Sequence, residues 1–156
     1  MKTILVSGAS GVVGYGALKS LRKADHDYRL IGTSIYDDSI APAFCDIFIK
    51  APLTSSDNYI EWIIDTIKKH KVDMIIPGIE SDMLMWSQER EKLVDCGAEL
   101  LLNNPSLIEL CSDKWNFYDK LRDTYTNLLI ESRLTGSFEE LAEDLGLPFL
   151  LKPRRG

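Results

Sequence analysis

Histidine is almost missing from this chain, at two residues in 156, and cysteine is scarce, at three. His26 and His70 stand alone among charged neighbours, so no Ser-His-Asp or Cys-His arrangement can be assembled and no metal-ligand pattern is visible. Cys45, Cys96 and Cys111 fit neither a zinc spacing nor a disulfide framework. They read as buried, reduced thiols of a cytoplasmic protein. No apolar run reaches the length of a membrane span. The opening MKTILVSG has the look of a signal peptide, but its apolar stretch is short and stops at glycine, so it reads as a strand. Basic charge is in deficit too. Eighteen Lys and Arg against 24 Asp and Glu leave a net charge of −6, which argues against nucleic acid as a partner. The one basic concentration is Lys152, Arg154 and Arg155 at the end of the sequence.

What is present is ordinary globular material, 45% hydrophobic, with one organising stretch at residues 3–14, TILVSGASGVVG. The apolar run Ile4, Leu5, Val6 stops at Ser7, and glycines follow at 8, 11 and 14 ahead of an apolar helical pattern. This is the form of a buried parallel strand turning into a helix through a loop without side-chain bulk. Gly8 permits a tight turn, Gly11 admits a ligand to the backbone beside Ser10, and Gly14 lets helix and strand pack closely. N–H groups at the helix start favour a phosphate or carboxylate there. The spacing G-x-x-G-x-x-G is looser than the dinucleotide fingerprint.

Further along, Val12, Val13, Ala17, Leu18 and Leu21 form a helical stripe, and residues 28–33 read as a second strand. Residues 47–49 are a third strand or an edge. Residues 57–70 are the clearest helix, with Ile60, Ile63, Ile64 and Ile67 in helical register and Tyr59 and Trp62 as packing groups. A strand over 74–76 stops at Pro77-Gly78, and Ser81 or Asp82 can cap a helix running through Val94. A strand over 99–102 and a helix opened by Asn104-Pro105 complete the alternation. Strands alternating with helices imply a doubly wound, mostly parallel, Rossmann-like α/β sheet over residues 1–112. Ligands of such sheets sit beyond the carboxyl ends of the strands, where the loop with Gly8 and the loop with Gly78, Glu80 and Asp82 both lie. Glu80 or Asp82 can bind an amine or cap the next helix.

Residues 113–156 break the pattern. Ser112-Asp113 can cap a helix over 114–121, and 123–135 is ambiguous with a strand conceivable at 128–130. Ser137 and Glu140 form a capping box, Gly146 ends that helix, and 149–152 reads as a strand delivering Lys152 into a Pro-Arg-Arg-Gly turn.

CSDKWNFYDKL at 111–121 resembles the passage from the Rossmann-like domain of ATP-grasp ligases into their ATP-binding region. SFEELAEDLGLPFLLKPRRG at 137–156 resembles the helix, strand and start of the phosphate-covering loop that follow. The chain is most similar to carbamoyl-phosphate-synthase large-subunit-like proteins of that superfamily. The resemblance implies a pre-ATP-grasp domain followed by the beginning of an ATP-grasp subdomain, with Lys114 and Lys152 on the phosphates of ATP. It further implies an acyl-phosphate reaction joining a small carboxylate to an amine, ATP with magnesium in the full-length protein, and a homodimer. The glycine-rich loop, adenine segment and acidic magnesium ligands of that family would lie downstream. The sequence therefore reads as an N-terminal fragment without ligase activity of its own, holding no tightly bound cofactor. Two other readings compete. VSGASGVVG also resembles the nucleotide loop of short-chain NAD(P)-dependent reductases and epimerases, yet Thr33 and Ser34 stand where their ribose-binding acid belongs. Tyr15 and Lys19 match their Tyr-x-x-x-Lys inside the first helix, out of reach of a nicotinamide. A non-enzymatic ligand-binding Rossmann module is the third.

Overall fold

Val6 and its neighbours have nowhere to go but inward. In the computed structural model, which describes residues 1–155, β1 (Lys2–Val6) is buried from Thr3 onward. It pairs in parallel with β2 (Tyr28–Ser34) on one side and β4 (Met74–Ile76) on the other. β3 (Ile47–Lys50) and β5 (Glu99–Leu100) form the edges, giving the order β3-β2-β1-β4-β5 with every pair parallel. This is the doubly wound arrangement that the alternation implied, with residues 47–50 as an edge strand.

Period-two alternation sends β1 to two cores. Leu5 joins Ile31, Ile63, Ile67, Ile75, Trp86 and Leu93 in one cluster, while Ile4 and Val6 join Ala9, Leu18 and Leu30 in the other. The first is covered by α2 (Tyr59–His70), α3 (Glu80–Gln88) and α4 (Arg90–Val94), the second by α1 (Val12–Lys23) and a short 3-10 turn over Ala41–Phe44. Each fully buried Leu or Ile contributes about 2 kcal/mol by removal from water. Two carboxylates pin the starts of strands: Asp73 accepts from Thr3 N–H at 2.7 Å, and Asp46 accepts from Leu30 N–H at 2.7 Å. Both carboxyls are held below the usual range, first of all by those backbone bonds.

Several local expectations change. Val12 and Val13 are 90% and 67% exposed, and only Ala17, Leu18 and Leu21 of the expected stripe pack on the core. The helix expected through Val94 is interrupted at Glu89. Ile79, in extended conformation, is the residue before α3, and its side chain makes no cap. Ser81 and Asp82 therefore lie inside the first turn instead of capping it. The cysteines are free but not fully buried, Cys45 and Cys96 being half-buried and Cys111 exposed. Burial raises the Cys45 thiol.

The chain divides into two compact units, Met1–Pro105 and Ser106–Gly156, so α5 (Pro105–Cys111) falls almost wholly in the second. That unit continues with α6 (Lys114–Leu121), a 3-10 turn at Thr126–Leu128 and α7 (Phe138–Leu145). Asp113 caps α6, accepting from the N–H groups of Trp115 and Asn116 at 3.1 Å each. Ser137 and Glu140 cap α7 reciprocally, at 3.3 and 2.8 Å. The strands expected at 128–130 and 149–152 are not formed among the described residues. An apolar run becomes a strand only beside another strand, and the second unit has none among its described residues; Leu150 and Leu151 stay 82% and 83% exposed. Gly156, in the expected start of the phosphate-covering loop, lies outside the described residues.

Candidate functional sites

Each unit carries one cavity of note. In the first, a cavity of about 280 Å³ opens beyond the carboxyl ends of β1 to β4. The chain reaches it through the 7–11 loop. There Gly8 takes the left-handed φ of +56°, Gly11 N–H closes onto Gly8 O at 2.8 Å, and Ala9 N–H bonds Thr33 O at 2.9 Å. Gly8, Ser10, Gly11 and Asp82 line this cavity. Gly14 and Gly78 do not; they sit where the first helix and the 77–79 loop meet the end of β1. A Cβ on Gly78 would lie 2.1 Å from Ser7 O and 2.7 Å from Gly14 Cα, so the two backbones touch there. Glu80 is exposed at the start of α3 and also stays outside the lining.

The remaining walls come from the ends of β2 and β3 and from α2, through residues that sequence reasoning passed over. Ser34, ending β2, accepts Tyr36 N–H at 3.1 Å and receives the Ser10 hydroxyl at 2.7 Å. Thr54 donates to Asp82 Oδ1 at 2.5 Å. Tyr59, read from sequence as packing, is buried but presents its hydroxyl to Asp82 and accepts Trp86 Nε1–H at 3.1 Å. Burial and then the Asp82 charge push the Tyr59 phenol far up, so it stays neutral. No Lys, Arg or His lines this cavity.

The second cavity, about 680 Å³, lies within the second unit. Lys114 enters from the start of α6 and Lys152 from the segment after α7, and both line it, together with Trp115, Arg133 and Arg154. The two lysines singled out from the sequence thus face one space from segments far apart in the chain. Leu141, Leu145 and Phe149 supply apolar wall. Arg133 and Arg154 are fixed by acids. Arg133 pairs with Asp144 at 3.0 Å and with Glu131. Arg154 forks onto Asp113, Nε lying 3.0 Å from both carboxylate oxygens, and its carbonyl accepts Lys114 N–H at 3.0 Å. Arg155 adds a third contact at 3.3 Å. The Asp113 carboxyl is held far below the usual range, by Arg154 above all. A cation-lined cavity with apolar walls suits a nucleoside triphosphate, whose phosphates need ammonium and guanidinium groups and whose base needs apolar surface. Among the described residues no group of three His, Cys, Asp or Glu side chains could hold a metal ion, and no helix is long and apolar enough to cross a membrane.

The parallel order and the glycine loop define a Rossmann-like α/β domain. Residues 5–101 match the PylC-like, N-terminal domain family, a pre-ATP-grasp domain, and the chain belongs to that family. No curated protein sequence matches it. Among solved structures it is similar to N5-carboxyaminoimidazole synthetase from Staphylococcus aureus in complex with ADP. That likeness has 20% identity and a TM-score of 0.63, covering 99% of this chain and 38% of the other. It is also similar to the ADP complex of purK, N5-carboxyaminoimidazole ribonucleotide synthetase, at 20% identity and a TM-score of 0.59, covering 91% and 34%. A third likeness is to glycinamide-RNase-transformylase T from Mycobacterium tuberculosis, at 14% identity and a TM-score of 0.55, covering 84% and 37%. The chain thus spans under two fifths of the length of these proteins. None of the three is a carbamoyl-phosphate synthase, the group to which the sequence looked most similar.

Proposed function

We propose that this chain is the N-terminal part of an ATP-dependent ligase that joins a small carboxylate to an amine. Membership of a pre-ATP-grasp family and likeness to two ADP-bound synthetase structures support the class. The observation that carries the reading is the common cavity of Lys114 and Lys152. In the reaction a carboxylate oxygen attacks the terminal phosphorus of ATP, giving an acyl phosphate and ADP. An amine then attacks the acyl carbon, giving an amide, inorganic phosphate and a proton. Lys114 and Lys152 neutralise phosphate oxygens while charge shifts towards the leaving ADP, a stabilisation with fixed cations. Asp113 acts through its neighbours: it holds Arg154, whose carbonyl holds the start of α6 and thereby Lys114. The described residues contain no acidic set for magnesium, so no step is assigned to a metal here.

Thermal unfolding with added ligands tests this, since a ligand of the native state raises the melting temperature by mass action. Magnesium ATP raises it, most in a longer chain that includes the remaining ATP-grasp part, and NAD(H) and NADP(H) leave it unchanged. Stabilisation by a nicotinamide cofactor in place of ATP would reverse the assignment. Ser34, standing where a ribose-binding acid would end β2, argues against that outcome.

A further inference from the structure

Asp82 is 4% exposed, yet no cation pairs with it among the described residues. The neutral Thr54 hydroxyl donates to it, the neutral Tyr59 phenol lines the same space, and it faces a cavity with no basic side chain in its lining. A hydroxyl donor and the partial charge at the start of α3 lessen the cost of burying a carboxylate, but they do not cancel its full charge. Buried carboxylates are ordinarily matched by a cation, and here the matching position is open space. The surroundings select the form of that cation. Pro52, Ile35 and Ile79 present apolar surface, and about 280 Å³ admits only a short chain. A guanidinium would want a planar fork of acceptors, whereas a single carboxylate oxygen pair with hydroxyls beside it suits the compact, three-donor ammonium.

We propose that the cavity above the first unit's sheet binds a small aliphatic primary ammonium ion on Asp82, with Thr54 fixing the orientation of the carboxylate. Phosphates and carboxylates are excluded from this cavity by the same charge, although the neighbouring glycine loop looked from sequence like an anion site. That the bound amine is the one to be ligated rests on the ligase reading; the binding itself does not.

The test is a titration of the ¹⁵N-labelled chain with propylammonium chloride, 1-propanol and sodium propionate at matched ionic strength, following amide shifts of Tyr59 and Asp82. Propylammonium gives saturable shifts, 1-propanol binds about tenfold more weakly, and propionate gives no saturation, as expected when a charge-assisted bond is the main contact. Asp82→Asn weakens propylammonium by about tenfold and levels it with propanol. Thr54→Val, which leaves the carboxylate in place and keeps the shape, weakens it severalfold and serves if the Asn variant does not fold. Equal binding of all three probes, or wild-type affinity in both variants, overturns the site. The ligase reading fails separately: a chain stabilised by NADH and not by magnesium ATP would lose that reading while propylammonium binding still stood.

Discussion

The two cavities of this chain are built from opposite charges. The one above the sheet is walled by backbone, hydroxyls and a single buried carboxylate, with no base. The one in the second unit is ringed by Lys114, Arg133, Lys152 and Arg154, with Arg133 and Arg154 held by acids. The first is set into the sheet's carboxyl edge, between the ends of the parallel strands and the elements that follow them. The second depends on a clasp, Asp113 with Arg154 and Arg155, linking segments with no sheet between them. On the two proposals made above, charge sorts the ligands, amine to one and nucleotide to the other, and architecture sorts their fragility.

The harshest way to break this contrast is to force apart the backbones where the 77–79 loop meets the end of β1. Gly78→Ala should cost about 3 kcal/mol in urea unfolding, because its Cβ meets backbone that cannot yield. Gly16→Ala, with nothing within 4 Å, should instead leave stability unchanged or raise it by about 0.5 kcal/mol. A smaller effect should separate the sites by ligand. Lys152→Gln should lower magnesium ATP affinity about tenfold in a calorimetric titration, and leave propylammonium binding as it was. Smaller still, Ser137→Ala removes one half of the α7 capping box and should cost about 1 kcal/mol, read as faster amide exchange confined to the second unit. Acid is the gentlest probe. The Asp113 carboxyl lies below its ordinary value in the folded chain, so its stabilisation is complete above about pH 4 and drains as pH falls through the lowered value. Asp46 and Asp73 impose the same sign on the first unit. Proteolysis between pH 5 and pH 2 should accelerate in both units in the wild type, and Asp113→Asn should flatten the profile of the second alone.

What could be read from sequence was what is local or periodic. The strand, glycine loop and α1 follow one another without a break, and the isoleucines of α2 repeat with the helix, so both were legible. Ser137 with Glu140 and Asp113 with Asn116 are caps spanning three residues, and both formed. The misses share one cause, dependence on a distant partner. Residues 149–152 have strand composition but, among the described residues, no neighbouring strand to bond. Asp82 was a candidate cap, but it falls inside the first turn of α3 and its oxygen is taken by Thr54, 28 positions earlier. Tyr59 looked like packing because nothing near it in sequence announces a carboxylate. Lys114 and Lys152 were picked by resemblance alone, and composition would have passed over both as exposed lysines. The family match covers residues 5–101, whereas the motifs that resemble ATP-grasp ligases are densest at 111–156, so the two likenesses rest on different residues.

The central claim is that Lys114 and Lys152 face the phosphates of one nucleotide. An ATP analogue bearing an acyl group on its terminal phosphate transfers that acyl group to lysines beside the phosphates, and a covalent readout registers even a weak site. Peptide mapping should find Lys114 and Lys152 acylated ahead of the other lysines, with both protected by excess ATP. Acylation spread over Lys23, Lys71 and Lys120 to the same degree, or protection by NADH and not by ATP, would contradict the account.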